Sequence, residues 1–258
     1  MARLLKLMQN EWMKLWHKKG TWIMVGILVV LTVGMMGLMK WISLQNMGGE
    51  MTREGMIQDP SSLGGTVLLL TVIVAAGIVA SEFSQGTIKM LLTRPVKRWK
   101  ILVSKFLTVN LFGIFLMLIG YVVYILLAML LFKSGAGESL SDWSVWSKSL
   151  YMLLLSFGNV FITSTFAFAI GSVFRSSSLA IGLSLFIYFT GSTISALLSQ
   201  YEVAKYLFFT HMDLTQFETG MMLVPDLTMP FSLAVLAVYI VVFLLISFSA
   251  FIKRDVTA

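Results

Sequence analysis

Six runs of this chain carry no charged side chain and are each about as long as a lipid bilayer is thick. They lie near Thr21 to Met39, Leu63 to Ala80, Phe106 to Phe132, Leu150 to Phe174, Leu179 to Ser199 and Phe231 to Ile252. A hydrocarbon core of about 30 Å takes roughly 20 helical residues to cross. Within lipid the backbone must satisfy its own hydrogen bonds, which a helix does inside one segment, whereas a membrane β-barrel shows shorter, alternating segments. The expected fold is therefore an all-α polytopic membrane protein with six transmembrane helices, forming a single domain over residues 1–258. Only "RSSS", Arg175 to Ser178, separates the fourth and fifth runs. Their combined length exceeds one span, so a tight hairpin is expected there.

Hydrophobic residues make up 58% of the chain and charged ones 12%, far from a soluble domain's balance. The net charge of +7 does not point to nucleic acid, because the charges lie between spans and not on the face of a soluble fold. The absence of cysteine excludes disulfides and thiolate metal sites. The N-terminus "MARLLKLMQNEWMKLWHKK" is charged throughout and is expected to be retained, not cleaved as a signal.

Lysine and arginine fix the orientation. With both termini cytoplasmic, the inner side holds 14 basic residues and the outer loops five: Lys40, Arg53, Lys133, Lys148 and Lys205. Of the acids, Glu11, Glu82 and Asp255 fall inside and the other nine outside. Residues 1–20 form their own element. Met1, Leu4, Leu5, Met8, Trp12, Leu15 and Trp16 share one helical arc, with Arg3, Lys6, Gln9, Asn10, Lys14 and Lys18 opposite. That pattern predicts an N-terminal amphipathic interfacial helix, its tryptophans in the headgroup zone and its lysines near anionic lipid.

The inner loop "SEFSQGTIKMLLTRPVKRWKILVSK", Ser81 to Lys105, has more order than topology requires. Ile88, Leu91 and Leu92 share one face, Pro95 interrupts, and Trp99, Leu102, Val103 and Phe106 share another. Two short helices meeting at a bend are predicted, with Ser81 or Ser84 placed to cap the first and Gly86 to turn the backbone. Six basic residues would serve the positive-inside rule alone, but such a loop needs no apolar faces on both sides of a proline.

These residues resemble the inner loop of type-2 ABC exporter permeases: Glu82, then Gly86 and Thr87, an apolar pair, Arg94 and Pro95, a basic pair, and Lys105 opening the next helix. "NEWMKLWHKKGTW" leading into the first span and "KYLFFTHMDL" before the last agree with that family, closest in kind to small bacterial bacitracin, lantibiotic-immunity and sodium-export permeases. The resemblance implies that residues 81–105 contain a cytoplasmic coupling helix between spans two and three, docked on a separate ABC ATPase subunit through Glu82, Gly86, Thr87, Ile88, Leu91, Leu92, Arg94 and Pro95. It also implies a second permease copy or paralogue, ATP and Mg held in the partner ATPase and not in this chain, and a bacterial cell-membrane location.

What is missing from the sequence fits that expectation. No G-x-x-x-x-G-K-[ST] cradle for ATP phosphates occurs, and no ionisable residue interrupts the apolar centres of the spans as ion coupling usually demands. Glu82 sits at the inner edge, where helix-end capping or pairing with a nearby base is the plain alternative. Neither H-E-x-x-H nor G-x-S-x-G is present, so an enzyme is not expected. His211 reads as an ordinary outer-loop residue with Asp213 as its one nearby metal-ligand type. The 18 methionines form no repeated cluster and read as packing residues.

Small and hydroxyl residues crowd spans two, four and five. Among them Thr71, Gly77, Ser184, Thr190, Gly191 and Ser195 either border a translocation path or let helices pack closely. The lack of charge in these spans favours an amphipathic or lipid-like substrate, such as an antibiotic peptide or drug. Residues 200–230 are too apolar for a plain loop and are expected to form short helices at the outer interface. The alternative function is a non-transporting membrane sensor or assembly partner that uses the inner loop for protein contact.

Overall fold

The computed structural model describes residues 2–45, 51–87, 96–135, 139–174, 176–222 and 224–253. Among them the regular structure is entirely helical, and six helices are long and apolar enough to cross a membrane. The chain runs α1 (Ala2–His17), α2 (Lys19–Leu44), α3 (Arg53–Gln58), α4 (Ser61–Ser84), α5 (Arg98–Leu131), α6 (Trp143–Val173) and α7 (Ser177–Leu198). Two 3₁₀ turns follow, Glu202–Tyr206 and Phe208–His211, then α8 (Gln216–Thr219) and α9 (Met229–Lys253). The spans are α2, α4, α5, α6, α7 and α9, matching the six apolar runs. Ser176 caps the N-terminus of α7, and α6 and α7 pack against each other, so "RSSS" does separate a hairpin.

The bundle is built around α4. The apolar windows of the α4 and α6 spans are 67% and 61% buried, against 17% in α2, α7 and α9, so α4 and α6 form the axis and the others surround it. Lipid tails give no hydrophobic drive for helices to associate, so close approach and dispersion must supply it, and small residues permit that approach. A Cβ on Gly171 would overlap the carbonyl of Ala76, and one on Gly64 would lie 2.8 Å from Ser156 Cβ. At the α5–α6 contact a Cβ on Gly113 would be 3.1 Å from Val160 Cγ1.

The amphipathic N-terminal segment is helical, and its two tryptophans touch α5 while Trp16 stays 40% exposed. Trp12 and Trp16 each set a ring 5.6 Å from that of Phe115 on α5. Two hydrogen bonds brace the α1–α2 elbow: Thr21 Oγ1 donates to the Leu15 carbonyl and Trp22 Nε1 donates to that of Trp16.

Of the two short helices expected in residues 81–105, the second is the start of a longer one, and the first falls mostly outside the described residues. Ser81 and Ser84 close the last turn of α4, where the Ser84 hydroxyl donates back to the Ser81 carbonyl, so neither caps a new helix. Gly86 turns the backbone at φ 69°, the left-handed conformation glycine adopts without a Cβ clash. The Trp99 to Phe106 face is no separate element but the first turns of α5, which starts at Arg98 and carries Arg98, Lys100 and Lys105 on a helix continuous with span three. Its buried side is Ile101, Leu102 and Lys105, while Trp99 is exposed. The proposed apolar helix face at Ile88, Leu91 and Leu92, with Arg94 and Pro95, lies outside the described residues.

On the opposite end of the bundle Thr52 caps α3 by accepting from the Gly55 amide. The fully buried Glu54 accepts from Ser134 Oγ at 2.7 Å and Gly135 N at 2.9 Å and pairs with Arg53 at 3.0 Å. It thereby fastens α3 to the segment after α5. Residues 200–230 form the expected short helices, with Phe208 and Phe209 packed against Phe166 of α6.

Candidate functional site

Four charged side chains meet where α1, α4 and α5 converge. Lys105, in the second turn of α5, is 1% exposed and donates to Glu11 Oε2 at 2.7 Å and Glu82 Oε1 at 3.0 Å. Lys14, half-exposed, donates to the other oxygen of Glu11 at 3.0 Å and to the same oxygen of Glu82 at 3.1 Å. Each lysine bridges both carboxylates, and the quartet is neutral overall. A charge is buried tolerably only when paired and hydrogen-bonded, and here both conditions hold. Burial opposes the charge on Lys14, but the two carboxylates outweigh it and hold its ammonium above the usual lysine range. The Thr87 hydroxyl also donates to Glu82, tying the start of the inner loop to the same cluster.

Glu82 lies in the last turn of α4 and Lys105 in the second turn of α5, so the segment between them is flanked at both ends by one ion cluster, which also clasps α1. Arg98 adds a second tie, donating to the Ile252 carbonyl at the end of α9 at 3.1 Å. Beside the quartet lies a cavity of about 410 Å³, bounded by Ser81, Lys18, Gly77 and Ile181 as well as the charged groups. The sequence assigns Glu82 to ATPase coupling, with capping or pairing to a nearby Lys or Arg as the alternative, and counts Lys105 as a topology charge and as the Lys opening the next helix; it joins neither to Glu11. The available signal was that Glu11 and Glu82 are carboxylates standing on the basic side of the charge segregation.

The six residues assigned to a path or to packing are scattered. Thr71 is buried against Gly113 of α5 and its hydroxyl returns to the Val67 carbonyl. Ser184 and Thr190 likewise donate to Ala180 and Phe186 of their own helix. Gly191 accepts the ring of Phe209 so closely that a Cβ would overlap it. Ser195 is buried 3.1 Å from Thr210 Oγ1, and Gly77 lines the cavity beside the quartet.

His211 is not an ordinary loop residue. It is fully buried, with Nε2 2.8 Å from the Lys205 carbonyl and Nδ1 2.8 Å from Ser232 Oγ. A carbonyl only accepts, so Nε2 carries the proton and Nδ1 accepts from the Ser232 hydroxyl. Burial pushes the imidazole below its usual range, partly countered by the Lys205 carbonyl, so it is neutral at pH 7 and staples the segment after α7 to α9. Among the described residues no group of three or more His, Asp or Glu could hold a metal ion.

A profile of the family described as "Protein of unknown function (DUF2705)" matches residues 45–257. The chain belongs to the DUF2705 family. The matched part includes Glu82, Lys105 and His211 but begins after α1, so Glu11 and Lys14 stand ahead of it. The chain is 34% identical to the Bacillus subtilis "Uncharacterized protein YhcI", over 98% of this chain and 99% of that protein. It is 29% identical to the same organism's "Uncharacterized membrane protein YdbK", over 95% and 99% respectively. With six spanning helices and a relative named as a membrane protein, this DUF2705 member is a multi-pass membrane protein.

Proposed function

We propose that this chain is the permease subunit of an ATP-driven ABC exporter, resident in the bacterial cell membrane with both termini cytoplasmic. It works with a second permease copy or paralogue, and a separate ABC ATPase docks on residues 81–105. One observation carries the reading: both ends of that loop and the N-terminal helix share a buried, mutually bridged ion cluster. A loop that only obeys charge topology has no need of rigid anchorage at both ends. A loop that passes a partner's motion to spans two and three does. In this reading α1 lies along the inner interface, and Glu82, Gly86 and Thr87 begin the coupling segment that continues through Ile88, Leu91, Leu92, Arg94 and Pro95. The substrate class is an amphipathic or lipid-like molecule.

The test replaces Ile88 and Leu91 together by aspartate. Affinity-purified wild-type chain should bring down an ABC ATPase from the membranes of its source cells, identified by mass spectrometry, and the double variant should not. Two unpaired carboxylates forced into an apolar groove cost several kcal/mol, enough to lower affinity by orders of magnitude. Lys97→Gln with Lys100→Gln should keep the ATPase, because exposed charges contribute little each. Full ATPase binding and stimulated hydrolysis in the aspartate variant would leave the loop a topology element only.

A further inference from the structure

The largest cavity of the molecule among those described, about 610 Å³, lies at the end of the bundle opposite the quartet. It opens between the start of α4, the middle of α6, α7 and the segment before α9. Ser62, Ser156, Asn159, Tyr188, Phe209 and Asp213 are on its walls. That size falls within the range of small-molecule sites, which are apolar-walled with a few placed polar groups.

Two of those groups lack a full set of protein partners, Asp213 on an exposed side chain and Ser156 on a buried one. Asp213 is held through one oxygen: Oδ1 accepts from Asn159 Nδ2 at 2.9 Å, from the Thr215 amide at 2.9 Å and from Thr215 Oγ1 at 2.6 Å. Asn159 is itself fixed, its Oδ1 accepting from the Leu214 amide at 2.7 Å. The carboxylate is thus oriented by a closed set of bonds, while Oδ2 has no hydrogen bond among the described residues. Ser156 Oγ, on a side chain 2% exposed, also has none. A buried hydroxyl without a partner is uncommon and asks for an explanation. Among the described residues the lining contains no Lys, Arg or His, and Asp213 is its one charged group. Tyr188, Phe189 and Phe209 present aromatic surface beside it.

This combination selects its ligand by chemistry. An anion is repelled. A divalent metal wants several oxygen ligands with more than one carboxylate, and a single aspartate does not provide them. An organic ammonium fits. It offers three N–H donors for Asp213 Oδ2 and the hydroxyls, forms charge-assisted bonds, and is drawn to aromatic faces. We propose that this cavity binds the ammonium-bearing end of an organic amphiphile, with the ammonium on Asp213 Oδ2 and the apolar body along Tyr188, Phe189 and Phe209. The site does not rest on the export reading, because it needs no ATPase and no transport to be occupied.

The experiment uses the purified full chain in nanodiscs of zwitterionic lipid, titrated at neutral pH with dansylcadaverine, a primary ammonium carrying an aromatic fluorophore. Dansylamide, with the same ring and no charge, is the comparison, and empty nanodiscs give the lipid background. The ammonium probe should bind about tenfold or more tightly than the neutral one, the usual strength of one charge-assisted contact. Asp213→Asn keeps an oxygen for Asn159 and Thr215 to bond, so the segment stays in place, and it should bring the two probes to equal affinity. Gly65→Leu is the blocking variant. Gly65 lines the cavity and a Cβ there meets nothing within 4 Å, so the leucine folds into the open space and should abolish binding of both probes. Equal affinity for the two probes in the wild type, an ammonium preference unchanged in Asp213→Asn, unimpaired binding in Gly65→Leu, or a signal no greater than that of empty nanodiscs would each overturn the proposal. Loss of the ATPase from the chain leaves these outcomes unaffected, so the two readings fail separately.

Discussion

Replacing Lys105 by methionine keeps the length and apolar stem of the side chain and deletes one charge from the quartet. The ammonium it removes is nearly inaccessible and lies 2.7 Å from Glu11 and 3.0 Å from Glu82. Only Lys14 is left to serve two carboxylates, and it is half-exposed, so its compensation is weakened by water. Removing one member of a buried pair typically costs about 3–5 kcal/mol, because the partner stays buried without its counter-charge. We expect Lys105→Met to lose about that much. The second arm is the double variant Lys105→Met with Glu82→Gln, which leaves Glu11 and Lys14 as a neutral pair at 3.0 Å. It should be more stable than the sum of the two single losses requires, with a coupling energy of roughly 0.5–3 kcal/mol. The assay is reversible unfolding in mixed micelles by a denaturing detergent. Tryptophan emission in a background where the other five tryptophans are replaced by phenylalanine leaves Trp12 and Trp16, which pack on Phe115, to report whether α1 is docked. A loss under about 1 kcal/mol for Lys105→Met, or strict additivity in the cycle, would refute the idea that these four groups act as one buried unit.

Gly171→Ala puts a methyl group into the backbone carbonyl of Ala76, which cannot swing aside as a side chain could, and should cost about 1–3 kcal/mol in the same unfolding assay. Gly65→Ala, where a Cβ meets open space, should be neutral or slightly stabilising. For His211 the folded-state value is depressed, so below the ordinary histidine range the unfolded chain binds the extra proton. Stability is then full at and above neutral pH and falls as pH drops through the window between the unfolded and folded values, by up to about 1.4 kcal/mol per pH unit. His211→Gln should flatten that dependence, measured as melting temperature at neutral and mildly acidic pH. Single cysteines at Ser139 and Gly220 should react with an impermeant thiol reagent in intact cells, and one at Ser84 only after permeabilisation, in a chain that has no cysteine of its own. Labelling of Ser84 from outside would reverse the proposed orientation.

The spans were legible because lipid is an unforgiving solvent: run length and freedom from charge decide them before any tertiary contact does. Their ends were less so. α5 begins at Arg98, not Phe106, because once lysine and arginine reach water nothing stops the helix from continuing beneath them. The α1 helix was visible as periodicity, but its contact with Phe115 through Trp12 and Trp16 was not, because a helical arc names no partner across the chain. The quartet was invisible because Glu11, Glu82 and Lys105 are far apart in the chain, and charge counting treats each as an independent marker of sidedness. Asp213 was set aside for the same reason. Its meaning comes from Asn159, more than fifty residues earlier, whose amide fixes the carboxylate's direction.

The two glycine notches along α4 and α6 govern the mechanics of the bundle. Gly64 meets Ser156 near one end, and Gly171 meets Ala76 near the other, roughly 18 Å away along α4 at the helical rise per residue. A shaft keyed at two points cannot slip along its partner without driving side chains into backbone at both keys. These helices therefore behave as one spar. Any tilt between spans is then expected to fall on α2, α7 and α9, the spans whose apolar windows are least buried.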